Sequence, residues 1–219
     1  MNGEKTLVCM VVQVPDPCQG NYRGGLKRLL PILLLVFSAG VGAYDEDDLE
    51  KLKTTNECPT CDLSQANLTG AYLRGAKLAG ANLTEADLTG ANFYRVNLTN
   101  ADLTGANLYK AHLEVVNLAS ANLTGANLID ANIEDTNLQK ASLAGVDLTK
   151  AYLEATDLAG ANLTMANLTG TVLEGTNLEN ADLTDAVLTD AKLMWVKNLN
   201  KAILCRTTMP DGTINNSGC

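Results

Sequence analysis

Cys58-Pro-Thr-Cys61 has the spacing of a redox dithiol or half a zinc site, since two thiols three residues apart can close on each other or on one metal. A second set of residues with chemical potential is a column of carboxylates, Glu114, Glu134, Glu154 and Glu174, each 20 residues from the next. Regularly spaced carboxylates could hold divalent cations or face a basic partner. The single histidine, His112, has no neighbouring nucleophile in sequence and reads as a solvated surface residue. No phosphate loop, Ser-containing elbow or HExxH motif is present, so neither catalysis nor a cofactor is expected.

Whether these residues meet depends on what carries them. From Cys61 to Leu193 the chain repeats every five residues, close to A-(N/D)-L-x-x. Leu fills its position in every one of the 27 repeats except at Phe93 and Ile133, and Ala stands two residues earlier in 19 of them. On an α-helix a step of five turns the side chain by about 500°, so successive leucines share no face. On a flat strand an odd step alternates the leucines between faces. The chain must therefore turn a corner within each repeat. Gly, which tolerates corner conformations, stands second after Leu at Gly70, Gly75, Gly80 and several later repeats.

The number of corners follows from a longer period. Every twentieth residue from Ala76 gives Val96, Val116, Thr136, Thr156, Thr176 and Val196, whereas the other Ala columns are broken only by Cys61, Val146 and Thr171. The position after Leu has the same order, with Ser64, Thr84, Thr104, Thr124, Ala144, Thr164 and Thr184 in one column and the four glutamates in another. Four repeats therefore make one coil. Stacked at the inter-strand spacing, the repeats give nearly seven coils and a rod of about 32 Å. Each buried Leu contributes about 1.5–3 kcal/mol. No proline interrupts the ladder between Pro59 and Pro210. After Leu193 the register slips by one residue to Leu199, which places a bulge at Met194 and Trp195.

These repeats resemble the pentapeptide-repeat family over about two thirds of the chain. The resemblance implies an all-β solenoid, a right-handed quadrilateral parallel β-helix; the right-handedness rests on the resemblance alone. Some members act as acidic DNA mimics against type II topoisomerases, which makes that a rival functional reading.

The flanking segments have different compositions. Residues 1–43 read as a signal peptide: Arg23, Lys27 and Arg28 precede the apolar run Leu29–Phe37, and Val41-Gly42-Ala43 precedes an expected cleavage before Tyr44. An uncleaved anchor through residues 29–41 is the alternative and the only membrane contact expected, and Met10 is an alternative start. Residues 1–43 hold four of the 16 basic and two of the 25 acidic residues, so the remainder has a formal charge near −11. Residues 44–60 read as an N-terminal capping segment, with Asp45-Glu46-Asp47-Asp48 opening a short helix through Lys53 that covers the first coil. Residues 61–204 form the β-helix and 205–219 a C-terminal cap.

Of the six cysteines, Cys9 and Cys18 are expected to leave with the signal segment, and Cys205 and Cys219 lie at the far end of the rod from Cys58 and Cys61, which excludes one four-cysteine zinc site. Two local disulfides, Cys58–Cys61 and Cys205–Cys219, are expected as staples, with redox sensing by the first pair as the alternative. The second pair would hold the tail over the last coil, a loop closure of about 3 kcal/mol. Cysteine-bearing ends also occur in exported members of the family the chain resembles.

The Asn-Leu-Thr triplets at Asn67, Asn82, Asn97, Asn122, Asn162 and Asn167 match glycosylation sequons, but the repeat generates them automatically. The Thr column resembles arrays of ice-binding β-helices, yet Thr is ordinary at this position. Lys110 and Lys150 are expected to offset the glutamate column at alternate coils, while Asp130 adds to it. Together these features point to an exported, non-enzymatic scaffold that binds an unidentified protein in the periplasm, an equivalent lumen or outside the cell, with no nucleic-acid partner expected. The alternatives are a topoisomerase modulator and, as a minor reading, cation binding along the glutamates.

Overall fold

The computed structural model describes residues 44–219. The signal-peptide or anchor reading of residues 1–43 falls outside them. No helix among the described residues is long and apolar enough to cross a membrane.

Parallel bridges join each residue before Leu to its counterpart 20 residues on, from Glu57–Lys77 to Asn177–Lys197. Three bonds per repeat build this ladder, one of them from the second residue after Leu, as where Gln65 N–H donates to Thr84 C=O (2.8 Å). Leu83 N–H donates upward to Asp102 C=O (2.6 Å), and Asp87 N–H donates downward to Ala66 C=O (3.0 Å). A corner closes each repeat, as where Ala66 N–H donates to Leu63 C=O (3.1 Å). The second residue after Leu has positive φ at every repeat from Thr60 to Trp195, as a type II turn requires at its third residue. Only ten of these 28 corners carry Gly. The other 18 force an L-residue into the left-handed region, including β-branched Val115 (φ 60°) and bulky Trp195 (φ 55°). Ladder bonds on both sides of the corner hold these residues there.

The core is the stack of Leu and Ala from Leu63 to Ala191, with Phe93 and Ile133 in Leu positions, all buried. Thr136, Thr156 and Thr176 are also buried, and their hydroxyls return to the coil below. Thr156 Oγ1 donates to Ile133 C=O (2.6 Å) and Thr176 Oγ1 to Leu153 C=O (2.7 Å). Thr136 Oγ1 donates to Leu113 C=O and accepts from Val116 N–H (3.2 Å), bridging the two ends of a corner. Each buried polar group thus acquires a partner.

At the N-terminal end, helix α1 (Glu46–Thr55) is capped by Asp45, whose carboxylate accepts from Asp47 N–H at 2.8 Å, and ends at Asn56 in the left-handed region. It runs two residues beyond Lys53. Leu52 is buried against the first coil, with Tyr44 and Leu49 packed beside it. Asp45 N–H donates to Asp62 C=O (3.0 Å), Asp48 Oδ2 accepts from Asp62 N–H (2.8 Å), and Asn56 Nδ2 donates to Arg74 C=O (3.0 Å). The helix thereby satisfies ladder groups that a preceding coil would have taken.

At the other end the register change differs from the sequence expectation. Met194 and Trp195 keep the regular pattern: Gly175 N–H donates to Met194 C=O, and the bridge spacing remains 20 through Lys197. The extra residue is absorbed later, at Asn198 (φ 58°) and the short 3-10 turn Leu199–Lys201. Beyond it the bridges Asp182–Ile203 and Val187–Thr208 are 21 apart. Strands β1 (Thr207–Thr208) and β2 (Ile214–Asn215) then form an antiparallel hairpin over the last coil. Cys205–Cys219 ties it down, and Gly218 N–H donates to Leu204 C=O (3.1 Å). A Cβ at Gly218 would stand 2.5 Å from Leu204 N, so only Gly permits this approach.

Candidate interaction face

Most outward side chains of three sides serve the coil itself. Asn82 Oδ1 accepts from Thr84 N–H (3.1 Å) and Thr84 Oγ1 (2.6 Å), and Asp87–Thr89, Asp102–Thr104 and Asp147–Thr149 repeat the arrangement. Neighbouring coils are joined by amides, as where Asn127 Nδ2 donates to Asn107 Oδ1 (2.9 Å). Local side-chain bonds of this kind explain Asn, Asp and Thr at these positions without any ligand. They also engage the hydroxyls of Thr84, Thr104 and Thr124, the array that suggested ice binding. Asp87 shows the electrostatic result: burial raises its carboxyl, but hydrogen bonds from Thr89, Thr69 and Asn107 outweigh this and leave it below the usual range.

The fourth side departs from this pattern. Tyr72, His112, Tyr152, Val172 and Lys192 replace the Asn/Asp before Leu. The next column runs Arg74, Tyr94, Glu114, Glu134, Glu154, Glu174 and Met194. Near the N-terminal end, Arg74 lies over the Tyr94 ring at 4.2 Å and Arg95 flanks it at 5.1 Å. At the C-terminal end Met194 and Trp195 are exposed, the latter by 75%.

The glutamates lie between these ends. Glu114 accepts from Asn132 Nδ2 (2.9 Å) and approaches His112 Nδ1 (3.4 Å), so His112 is tied to the column's first member. Burial first, then Glu154, Glu114 and Asp135, hold the Glu134 carboxyl above its ordinary range. The expected lysine compensation is absent: among the described residues no cation lies within 4 Å of Glu134, Glu154 or Glu174. Lys110 instead lies over the Tyr109 ring at 5.0 Å, with Asp130 also favouring its charge. A corner separates it from the glutamates, and sequence proximity does not cross that corner.

Cys58 and Cys61 form a disulfide with a Cα–Cα separation of 5.3 Å, buried beneath α1. The Asp48 carboxylate lies close to both sulfurs, but oxidised sulfurs provide no thiolates and this carboxylate already accepts from Asp62 N–H. Lys51 Nζ is 3.8 Å from Cys61 Sγ. This arrangement secures the cap to the first coil. Sequence reasoning found the glutamate column but missed the Arg74–Tyr94–Arg95 stack, although the break from Asn, Asp and Thr to aromatic and charged residues marked that side.

Comparison with known proteins places this architecture. The model for pentapeptide repeats matches residues 61–100 and 161–197, and that for a pentapeptide repeat region matches 91–168. The chain belongs to the pentapeptide-repeat family. Membership implies a right-handed β-helix solenoid. HetL, a pentapeptide repeat protein involved in heterocyst differentiation regulation in the cyanobacterium Nostoc, is 33% identical over 73% of this chain and 85% of its own, with a TM-score of 0.33. A trypsin-treated form of QnrB1, a plasmid-mediated fluoroquinolone resistance protein, is 27% identical over 63% of this chain and 72% of its own, with a TM-score of 0.55. Rfr23 from the cyanobacterium Cyanothece is 26% identical over 71% of this chain and 96% of its own, with a TM-score of 0.20. No match was found among curated protein sequences.

Proposed function

We propose that this pentapeptide-repeat protein is an exported, non-enzymatic binding scaffold whose rod of about seven coils presents one side to a protein partner. The carrying observation is that this side gathers Tyr72, Tyr94, Tyr152, Met194 and Trp195 around the glutamates, whereas the other three carry fewer such groups, as at Tyr109, Met165 and Val187, among side chains that make corner and ladder bonds. A disulfide at each end, the first of them buried, favours an oxidising compartment, in keeping with the signal-like residues 1–43. Cell fractionation with N-terminal sequencing tests export: protein beginning at Tyr44 outside the cytoplasm is the expected result. Affinity capture of this form in its own compartment tests the scaffold. Capture lost by substitution on the fourth side, but kept by substitution on the others, is expected.

A second reading is supported by a net charge of −9 and similarity to a fluoroquinolone resistance protein. In it the chain modulates a type II topoisomerase by presenting DNA-like negative charge. Cytoplasmic full-length protein that inhibits gyrase supercoiling would place this reading first. Cation binding along Glu114, Glu134, Glu154 and Glu174 is the minor reading, and calorimetric titration with calcium at millimolar concentration tests it.

A further inference from the structure

We propose that the side carrying Tyr152, Glu134, Glu154, Glu174, Met194 and Trp195 docks a basic amphipathic α-helix of a partner protein, laid along the rod axis. This rests on the binding-scaffold reading and specifies its partner. The apolar end is the starting point. Trp195 is held in a left-handed corner where ten other repeats use Gly, and it projects with Met194 and Tyr152 into solvent. Exposed apolar groups gathered on one side mark interaction surfaces, and Trp and Tyr are enriched among binding hot spots.

Charge and spacing then select the occupant. Among the described residues no cation lies within 4 Å of Glu134, Glu154 or Glu174, and Lys192 alone among the cations shares this half of the side, so the matching surface is basic. Coils rise by about 4.8 Å, whereas same-face residues of an extended strand recur at about 6.7 Å and fall out of register. Same-face residues of a helix recur every three or four positions, about 4.5–6 Å, and stay in register over several coils. A second copy of this chain would bring glutamates against glutamates. Nucleic acid and anionic lipid surfaces are repelled for the same reason.

The test uses the full chain and a synthetic peptide of about 15 residues with Lys at i, i+3, i+7 and i+10, flanked by Leu on an Ala background. Trp195 is the only tryptophan, so its fluorescence reports this side directly. Saturable binding with a blue shift of Trp195 is expected. The triple variant Glu134→Gln, Glu154→Gln, Glu174→Gln should weaken it by about tenfold or more. A charge-matched variant on other sides, Glu85→Gln, Asp130→Asn, Asp190→Asn, should leave it unchanged, with circular dichroism verifying that both variants fold. Equal weakening by the two variants, or equal binding of a scrambled peptide with dispersed lysines, overturns the proposal. So does the same shift from calcium alone, or a sedimenting dimer in which Trp195 is already shielded. Calorimetric binding without a Trp195 response also overturns it, but leaves the binding-scaffold reading standing on another side.

Discussion

Thr136 shows how a single atom adapts the coil. Its hydroxyl bridges Leu113 C=O and Val116 N–H, a corner without the direct bond seen one coil below, where Val96 N–H reaches Phe93 C=O at 2.9 Å. Thr136→Val removes the bridge while keeping the shape, and the corner can then close directly as it does beneath Val116. The expected cost is about 1 kcal/mol, seen as a lower urea midpoint with unchanged slope. Glu134 behaves oppositely. Its folded carboxyl is raised above the ordinary value of 4.5, so its contribution favours folding below that pH and is lost as pH rises through the raised value. Glu134→Gln should therefore raise the melting temperature at pH 7, with the gain vanishing toward pH 4. A gain that persists unchanged at pH 4 would remove the charge explanation. The crowding of Glu134 was legible from its 20-residue spacing. The pairing of Lys110 with Tyr109 was not, because periodicity places a side chain on a side without setting its rotamer.

At the level of elements, the two ends differ in construction from the repeats and are where sequence reasoning lost resolution. Leu and Ala positions betray every coil because burial selects them. A helix end or an extra residue leaves no periodic mark. The residue that shifts the register sits at Asn198–Lys201, where left-handed Asn198 supplies the turn, rather than at the conspicuous Met194–Trp195 pair. The corners carry the same lesson, since 18 non-glycine residues adopt the conformation that the glycines made visible. The C-terminal hairpin tests how far an end depends on its staple. It rests on Thr208 pairing with Val187, the Arg206 Nε bond to Asp185 Oδ1 (2.6 Å) and the Cys205–Cys219 bond across 14 residues. Cys205→Ser with Cys219→Ser should weaken the tail by up to about 3 kcal/mol in the loop-entropy view. Amide exchange should then accelerate across residues 206–218 while amides between Leu83 and Leu163 keep their protection. Uniform acceleration would mean that the tail holds the whole rod.

For the whole molecule, the 20-residue order matters more than the five-residue one, and deletions separate them. Stability in a solenoid is close to a sum over repeats and their neighbours, so removing repeats should shorten the rod without abolishing folding. Deleting residues 121–140 removes one whole turn and restores every column: Glu154 then stacks above Glu114, and Thr156 above Val116. Deleting only residues 121–125 keeps the Leu and Ala pattern but rotates everything beyond it by one side. Glu134 then lies above Tyr109 and Gln139 above Glu114, while Thr136 stands over Ala111. The coil tolerates this, because Thr171 already occupies an otherwise Ala column and finds Leu148 C=O at 3.0 Å. Both deletions should therefore give circular dichroism like that of the parent and unfold cooperatively. Only the shorter deletion breaks the glutamate column. Since it removes Glu114 from beneath Glu134, it should lower the Glu134 carboxyl toward its ordinary value, readable by carboxyl NMR titration. The larger deletion should leave Glu154 crowded by Glu114 and Glu174. If the smaller deletion fails to fold while the larger folds, the four-repeat order is a requirement of the core itself. Folding of both, with the Glu134 carboxyl lowered in the smaller deletion relative to the parent, assigns that order to the surface, where the columns gather charge that the fold does not use.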